Sequence, residues 1–380
     1  MNINVGEKIR QFVRKEPVTS VSFVLAVISM FFVHPDTEYV GYIHWSTLSV
    51  LLSLMLITSG LRSLGVFKAV GQRLLLRASS PRSIAFILVG LCYFLSPFIT
   101  NDVSLITFVP FSIFILEMAN LREYVIPILS LQTIAAHMGS SISPIGNPHN
   151  LYLYNLSGLS TGEFMLRMLP YFLVAGILLT IAILIITRNG QTDSYDKSKI
   201  KLSNIKKKDR ATVILYGVLF VLCILSVCHI FNYYIVLAIV VLAVFFLDKS
   251  NFKNPDYCLL FTFAFLFIFV GNMSRIEAIQ NLLCNIVNGH EIITTVLASQ
   301  IISNVPASIL IPNFTDKYML VCIAADIGGL GTLIASMANL ISFKQYALLK
   351  NSSIKKYIVG FTIINVAFLI PLTALALIIK

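Results

Sequence analysis

Charge is scarce in this chain. Only 12% of its 380 residues are Asp, Glu, Lys or Arg, against about 25% in a soluble domain. That shortfall excludes an ordinary soluble globular protein. A polar stretch able to fold alone is also missing, since the longest strongly polar segment, residues 188–210, is too short to hold a core. The six cysteines (92, 223, 228, 258, 284 and 322) all lie in apolar runs with no CxxC spacing, which argues against a disulfide framework or a cysteine metal site. HExxH and GxSxG are absent, so a membrane-embedded enzyme has no visible machinery. No Lys or Arg stands near the middle of an apolar run, where it would pair with a buried carboxylate.

Apolar length is what the chain does have. Hydrophobic residues make up 57% of it, in runs of the ~20 residues that a helix needs to cross a bilayer. The expected fold is an all-α polytopic membrane protein, one domain over 1–380, with full spans at about 19–34, 46–64, 124–155, 165–187, 211–229, 233–248, 257–274, 317–346 and 356–379. Lys8, Arg10, Arg14 and Lys15 precede the first run. No A-x-A-type site follows it, so it reads as an uncleaved helix rather than a signal peptide. The formal charge of +11 does not call for a nucleic-acid partner, because the basic residues gather in alternate loops.

Two further apolar stretches, about 83–117 and 279–314, are interrupted by Thr100-Asn101-Asp102 and by Ser303-Asn304-Val305-Pro306. Legs of about 16 residues would reach only ~24 Å at 1.5 Å per residue, short of the ~30 Å hydrocarbon core. They read as re-entrant hairpins. With the N-terminus in the cytoplasm, 24 of the 28 basic residues then fall inside, among them Lys206-Lys207-Lys208. Arg167, Arg275, Lys317 and the C-terminal Lys380 fall outside.

Residues 134–151 (IAAHMGSSISPIGNPHNL) align without gaps on 323–340 (IAADIGGLGTLIASMANL), and each follows one of the hairpins. The expected organisation is a first repeat at 15–187, a basic cytoplasmic loop and linking helix at 188–232, and a second, inverted repeat at 233–380. Breakers at membrane depth are tolerated only where backbone is buried in protein or lines a watery cavity. Gly139 suits the end of a half-helix. Asn147 and Pro148 suit the start of the next, with Gly328-Gly329 and Ser336 as their counterparts. Thr100 or Asn101, and Ser303 or Asn304, would cap the returning hairpin legs. Four helix starts would then face one region, favouring an anion, while unwound backbone around Gly146 and Thr332 suits a small cation such as sodium.

These motifs, TND (100–102), GNPHN (146–150), SNVPAS (303–308) and IGGLGTLIASMAN (327–339), resemble the ion transporter superfamily of divalent-anion/sodium symporters, citrate carriers, arsenite permeases and related sodium/proton antiporters. The similarity covers about residues 15–380 and is greatest to bacterial and archaeal inner-membrane proteins of anion or citrate type. It implies a secondary transporter of a small anion, a carboxylate or inorganic oxyanion, coupled to sodium or protons by an elevator-type shift in a homodimer; a sodium/proton antiporter or arsenite permease is the alternative. In the sodium/dicarboxylate branch the hairpin tips carry a Ser-Asn-Thr signature, and neither triplet here matches it. The expected substrate contacts are Thr100, Asn101, Asn147, Asn150, Ser303, Asn304, Ser336 and Asn339. Asn101, Asn150, Asn304 and Asn339 are also candidates for sodium, or else structural caps. Asp102, Asp326 and His137 are candidates for ion coupling, since intramembrane titratable groups are functional by default. A helix cap for the acids, or a simple interhelical hydrogen bond for His137, is the plainer reading of each. His149 is a weaker candidate for direct contact.

Overall fold

The computed structural model describes residues 7, 10–13, 16–76, 78, 80–188, 209–350 and 352–380. Lys8, Arg14 and Lys15, and residues 189–208 of the loop and linking helix expected at 188–232, Lys206-Lys207-Lys208 among them, lie outside the described residues. Among those described there is no strand, and seven helices are long and apolar enough to cross a membrane by length and composition. The protein is an all-α polytopic membrane protein.

The same series of elements occurs twice. The first runs α1 (Pro17–Ser29), α2 (Trp45–Ser63), α3 (Val66–Leu75), α4 (Pro81–Ile99), α5 (Asn101–Met118), α6 (Val125–Ser140), α7 (Pro148–Ser157) and α8 (Thr161–Ile186). After α9 (Arg210–Val227) come α10 (Tyr233–Leu247), α11 (Tyr257–Ser274), α12 (Glu277–Val287), α13 (Glu291–Ile302), α14 (Asn304–Leu310), α15 (Tyr318–Gly328), α16 (Met337–Ala347) and α17 (Ile354–Ile379). Each broken helix, α6/α7 or α15/α16, precedes a span of 26 residues, α8 or α17. Helix starts follow local chemistry. Ser80 with Ser83 and Ser160 with Glu163 form capping boxes before α4 and α8. Asn232, Asp256 and Ser353 cap α10, α11 and α17.

Two short helices were not foreseen. α3 buries Phe67, Ala69 and Leu75 while exposing Lys68 and Arg73, and α12 is mostly exposed. Both are amphipathic and too short to span; α3 falls between the expected spans, whereas residues 279–287 of α12, read as the start of the second hairpin, are a separate helix and the hairpin leg begins at Glu291.

The hairpin legs also differ from expectation. In the first hairpin they are 19 and 18 residues, ~28 Å at 1.5 Å per residue, rather than about 16. In the second they are 12 and 7, the latter continued by a 3-10 turn over Ile311–Phe314. Leg length alone therefore does not decide whether the first hairpin re-enters.

Packing pairs the two series. α4 lies against α6 as α13 lies against α15, while α16 packs on α5, and α7 on α14 and α15. α1 seals against α11 through Thr19–Thr262 (2.9 Å) and Asn272–Ser29 (2.9 Å). At the ends of that pair, Arg275 holds Asp36 at 2.7 Å and keeps its carboxyl below the usual range. The loops sort to two ends. Arg167 near the start of α8, Lys317 and Lys380 line one cleft of about 630 Å³. At the far end of α8, Thr187 meets Arg82 (3.4 Å), and Arg122 donates to the Lys350 carbonyl just before α17.

Candidate functional site

Both hairpins turn through one non-glycine residue in the same unusual conformation. Thr100 has φ 72°, ψ 155° and Ser303 has φ 76°, ψ 151°, a region almost reserved for glycine. Neither tip caps its following helix through a side chain, contrary to the expectation for Thr100, Asn101, Ser303 and Asn304. Each is instead held by backbone. The Asn101 N–H donates to Gly146 O (3.2 Å), and the Asn304 N–H donates to Ala335 O (2.8 Å). Gly146 and Ala335 are aligned positions of the two broken helices. Each tip therefore sits level with a helix break.

Glycine makes the approach possible. A Cβ on Gly139 would lie 2.2 Å from Tyr93 O and 2.7 Å from Ser96 Oγ; on Gly328 it would lie 2.7 Å from Ser299 Oγ. Gly139 was expected to end a half-helix, but α6 continues to Ser140. Its role is close contact with α4. Gly146 is similarly constrained, its Cβ position lying 2.0 Å from Ser140 O.

The two breaks meet across the series. Asn147 stands at the N-cap position of α7 with Pro148 next, as expected, yet makes no side-chain cap. Its Nδ2 donates to Asp326 Oδ1 at 2.7 Å, and its Oδ1 accepts from Ser140 (3.0 Å). His149 Nε2 reaches the same Asp326 oxygen at 3.1 Å. Asp326 and His149 are each 1% exposed. His137 contacts Asn339 Oδ1 at 3.1 Å, and a Cβ on Gly329 would lie 3.1 Å from His137 Nδ1 and 2.9 Å from Asn304 Nδ2. Asn147, His149 and Asp326 thus form one group, and His137, Asn304 and Asn339 form another around Gly329.

Asn150 and Asn339 brace their own unwound segments. Asn150 donates to Ser141 O (3.3 Å) and Ser143 O (3.4 Å), Asn339 to Gly329 O (2.9 Å) and Thr332 O (2.8 Å). Asn150 Oδ1 also accepts from the Cys322 thiol at 3.5 Å. Ser336 caps α16 by accepting from Ala338 N (3.2 Å), as expected. Ser303 Oγ donates to Ala335 O at 3.4 Å. Asp102 follows the first tip, partly buried, its N–H donating to Asn101 Oδ1 at 2.7 Å. Gln300 was missed entirely. Its amide donates to Gly328 O (2.8 Å) and Leu330 O (2.9 Å) and accepts from Thr332 N (3.1 Å). Its aligned counterpart is Pro97, so comparing the two halves gave no signal.

The cluster leaves polar atoms over. Asp326 Oδ2, Asn304 Oδ1, His137 Nδ1, His149 Nδ1 and Thr332 Oγ1 are buried without a hydrogen-bond partner. Buried polar atoms are partnered in the great majority of cases, and these five lie in the two broken helices and at the second hairpin tip. Among the described residues, no group of three His, Cys, Asp or Glu could hold a metal ion.

A helical membrane protein with its polar groups gathered at breaks deep inside is built as a transporter. The chain belongs to the citrate transporter family (CitMHS), which matches residues 9–316. It is 32% identical over 342 residues to an uncharacterized transporter of Methanocaldococcus jannaschii, covering 89% of this chain and 91% of the relative. It is 29% identical to the inner membrane protein YbiR of Escherichia coli over 84% of each chain. A 46 kDa membrane protein of Mycobacterium leprae is 24% identical over 80% of each.

Proposed function

We propose that this protein is a secondary active transporter for a small anion, a carboxylate or inorganic oxyanion, coupled to sodium or protons. The observation that supports it best is the meeting of both hairpin tips and both helix breaks at one buried cluster with unpartnered polar atoms. The repeated element order favours two halves of opposite orientation, with α9 as the odd helix that permits the inversion. Alternating access would then move α4–α7 and α13–α16 against the α1/α11 pair in an elevator-type shift, within a homodimer. Cation/proton exchange is the second reading, favoured by two titratable groups, Asp326 and His149, meeting at 3.1 Å in the buried cluster.

Uptake into proteoliposomes tests the proposal. A cation gradient should drive uptake of an anion from a panel of carboxylates and oxyanions, and Asn101→Ala and Asn304→Ala should each abolish it at normal expression. Full uptake in both variants refutes the site; proton flux driven by sodium alone, with no anion carried, favours exchange.

A further inference from the structure

A cavity of about 350 Å³ lies between the α1/α11 pair and the second hairpin. α11 packs on both α1 and α14, and the space is left where α1 faces the hairpin. Val21 and Leu25 of α1, Phe269 of α11, Ile302 and Pro306 of the hairpin and Met337 of α16 wall it. Only two hydroxyls line it, and both already donate within the protein, Ser22 to Val18 O (2.8 Å) and Ser303 to Ala335 O (3.4 Å). A buried water needs two to four polar partners, so this lining suits an apolar occupant. The rim residues Val21, Ile301 and Ile334 are exposed, which in a membrane protein sets them against acyl chains. The cavity therefore opens to lipid.

Depth and charge narrow the occupant. Along α1 the lining runs from Pro17 to Leu25, ~12 Å at 1.5 Å per residue, close to the ~15 Å that is half of the hydrocarbon core. Glu16 is the last charged residue before the apolar run, so the Pro17 end lies at the polar surface. Residues 7–16 carry Lys8, Arg10, Arg14 and Lys15 against Glu7 and Glu16, and Arg10 is exposed. A net-basic segment beside a spanning helix attracts anionic headgroups.

We propose that the cavity is a lipid site, taking one acyl chain of an anionic phospholipid from the leaflet at the start of α1, its headgroup drawn to the basic residues before Pro17. The chain lies between α1 and the hairpin tip at Ser303, and so wedges the seam across which the transport reading moves the hairpin. The site itself does not depend on that reading.

The test is native mass spectrometry and thermal unfolding of the delipidated full chain, titrated with phosphatidylglycerol, with phosphatidylcholine of the same chains, and with glycerol phosphate. One phosphatidylglycerol should bind and raise the unfolding temperature. Phosphatidylcholine should bind about tenfold more weakly, from the lost attraction of the basic residues, and glycerol phosphate should do nothing. Val21→Trp should fill the cavity and abolish the shift. Phe23→Trp, about 200° further round α1 at 3.6 residues per turn, should keep it. Ile301→Trp plugs the cavity from the hairpin side and serves where Val21→Trp does not fold. Phosphatidylglycerol binding that survives in a folded plugged variant overturns the proposal in favour of lipid bound around the whole surface. Equal binding of the two phospholipids, or no binding of either, also overturns it.

Discussion

Single atoms decide the geometry around Gly139. The missing side chain lets α6 press onto α4 at Tyr93 and Ser96, and Gly328 repeats the contact at Ser299. A methyl group at Gly139 would sit 2.2 Å from a backbone carbonyl, which cannot rotate away. Gly139→Ala should therefore destabilise the protein by about 1–3 kcal/mol, the usual cost of overpacking. At Gly328 the obstacles are Ser299 Oγ (2.7 Å) and Cβ (2.8 Å), with Val296 Cα at 3.2 Å; these are less severe than the 2.2 Å carbonyl contact at Gly139, so Gly328→Ala should cost less. Thermal unfolding of the two variants side by side checks the order; equal stability, or the reverse ranking, would show that these crossings are not packing-limited. Gly139 had an obvious reading as a helix stop. α6 ends one residue further on, at Ser140, so Gly139 combines a place in the last helical turn with close approach, and only the neighbouring helix reveals the second.

At the scale of elements, what could be read from the chain was whatever repeats or breaks a pattern. Thr100-Asn101, Ser303-Asn304 and the GNPHN break were visible because polar residues interrupt apolar runs. Their contacts were not, since a backbone bond from Asn101 to Gly146 leaves no trace in residue type. α3 was passed over because it is too short to register as a span, and most of α12 was read into the hairpin at 279–314 because its apolar face continues that run. Gln300 escaped for another reason: one polar side chain near a hairpin tip looks like surface until its three bonds are seen. Those bonds fasten the second hairpin to the loop around Gly331, whose φ of 105° needs glycine. The first hairpin has Pro97 at that place and nothing equivalent. Gln300→Ala should leave Gly328 O, Leu330 O and Thr332 N–H unsatisfied at about 1–3 kcal/mol for each buried group. Hydrogen exchange should then speed up at residues 329–333 while the first break stays protected. Unchanged exchange there would mean that Asn339 alone holds the loop.

Over the whole molecule, the question is how the two series sit across the bilayer. Charge sorting placed Arg167, Lys317 and Lys380 on one side from sequence alone, and these three line a single cleft. Arg82 with Thr187, and Arg122 with Lys350, occupy the other ends of α8 and α17. A helix of 26 residues is ~39 Å long at 1.5 Å per residue, more than the ~30 Å hydrocarbon core. The two sets of charges therefore stand at opposite membrane surfaces if α8 and α17 cross. This grouping depends on each hairpin returning to the side it entered, because a single crossing would invert every later loop. Cysteines placed singly at Arg167, Lys317 and Lys380 in a cysteine-free background should react with a membrane-impermeant maleimide added to intact cells. Cysteines at Arg122, Lys249 and Lys350 should react only after permeabilisation. Labelling of Lys317 and Lys350 from the same face would undo the inverted arrangement, since the broken helix α15/α16 between them would then fail to cross.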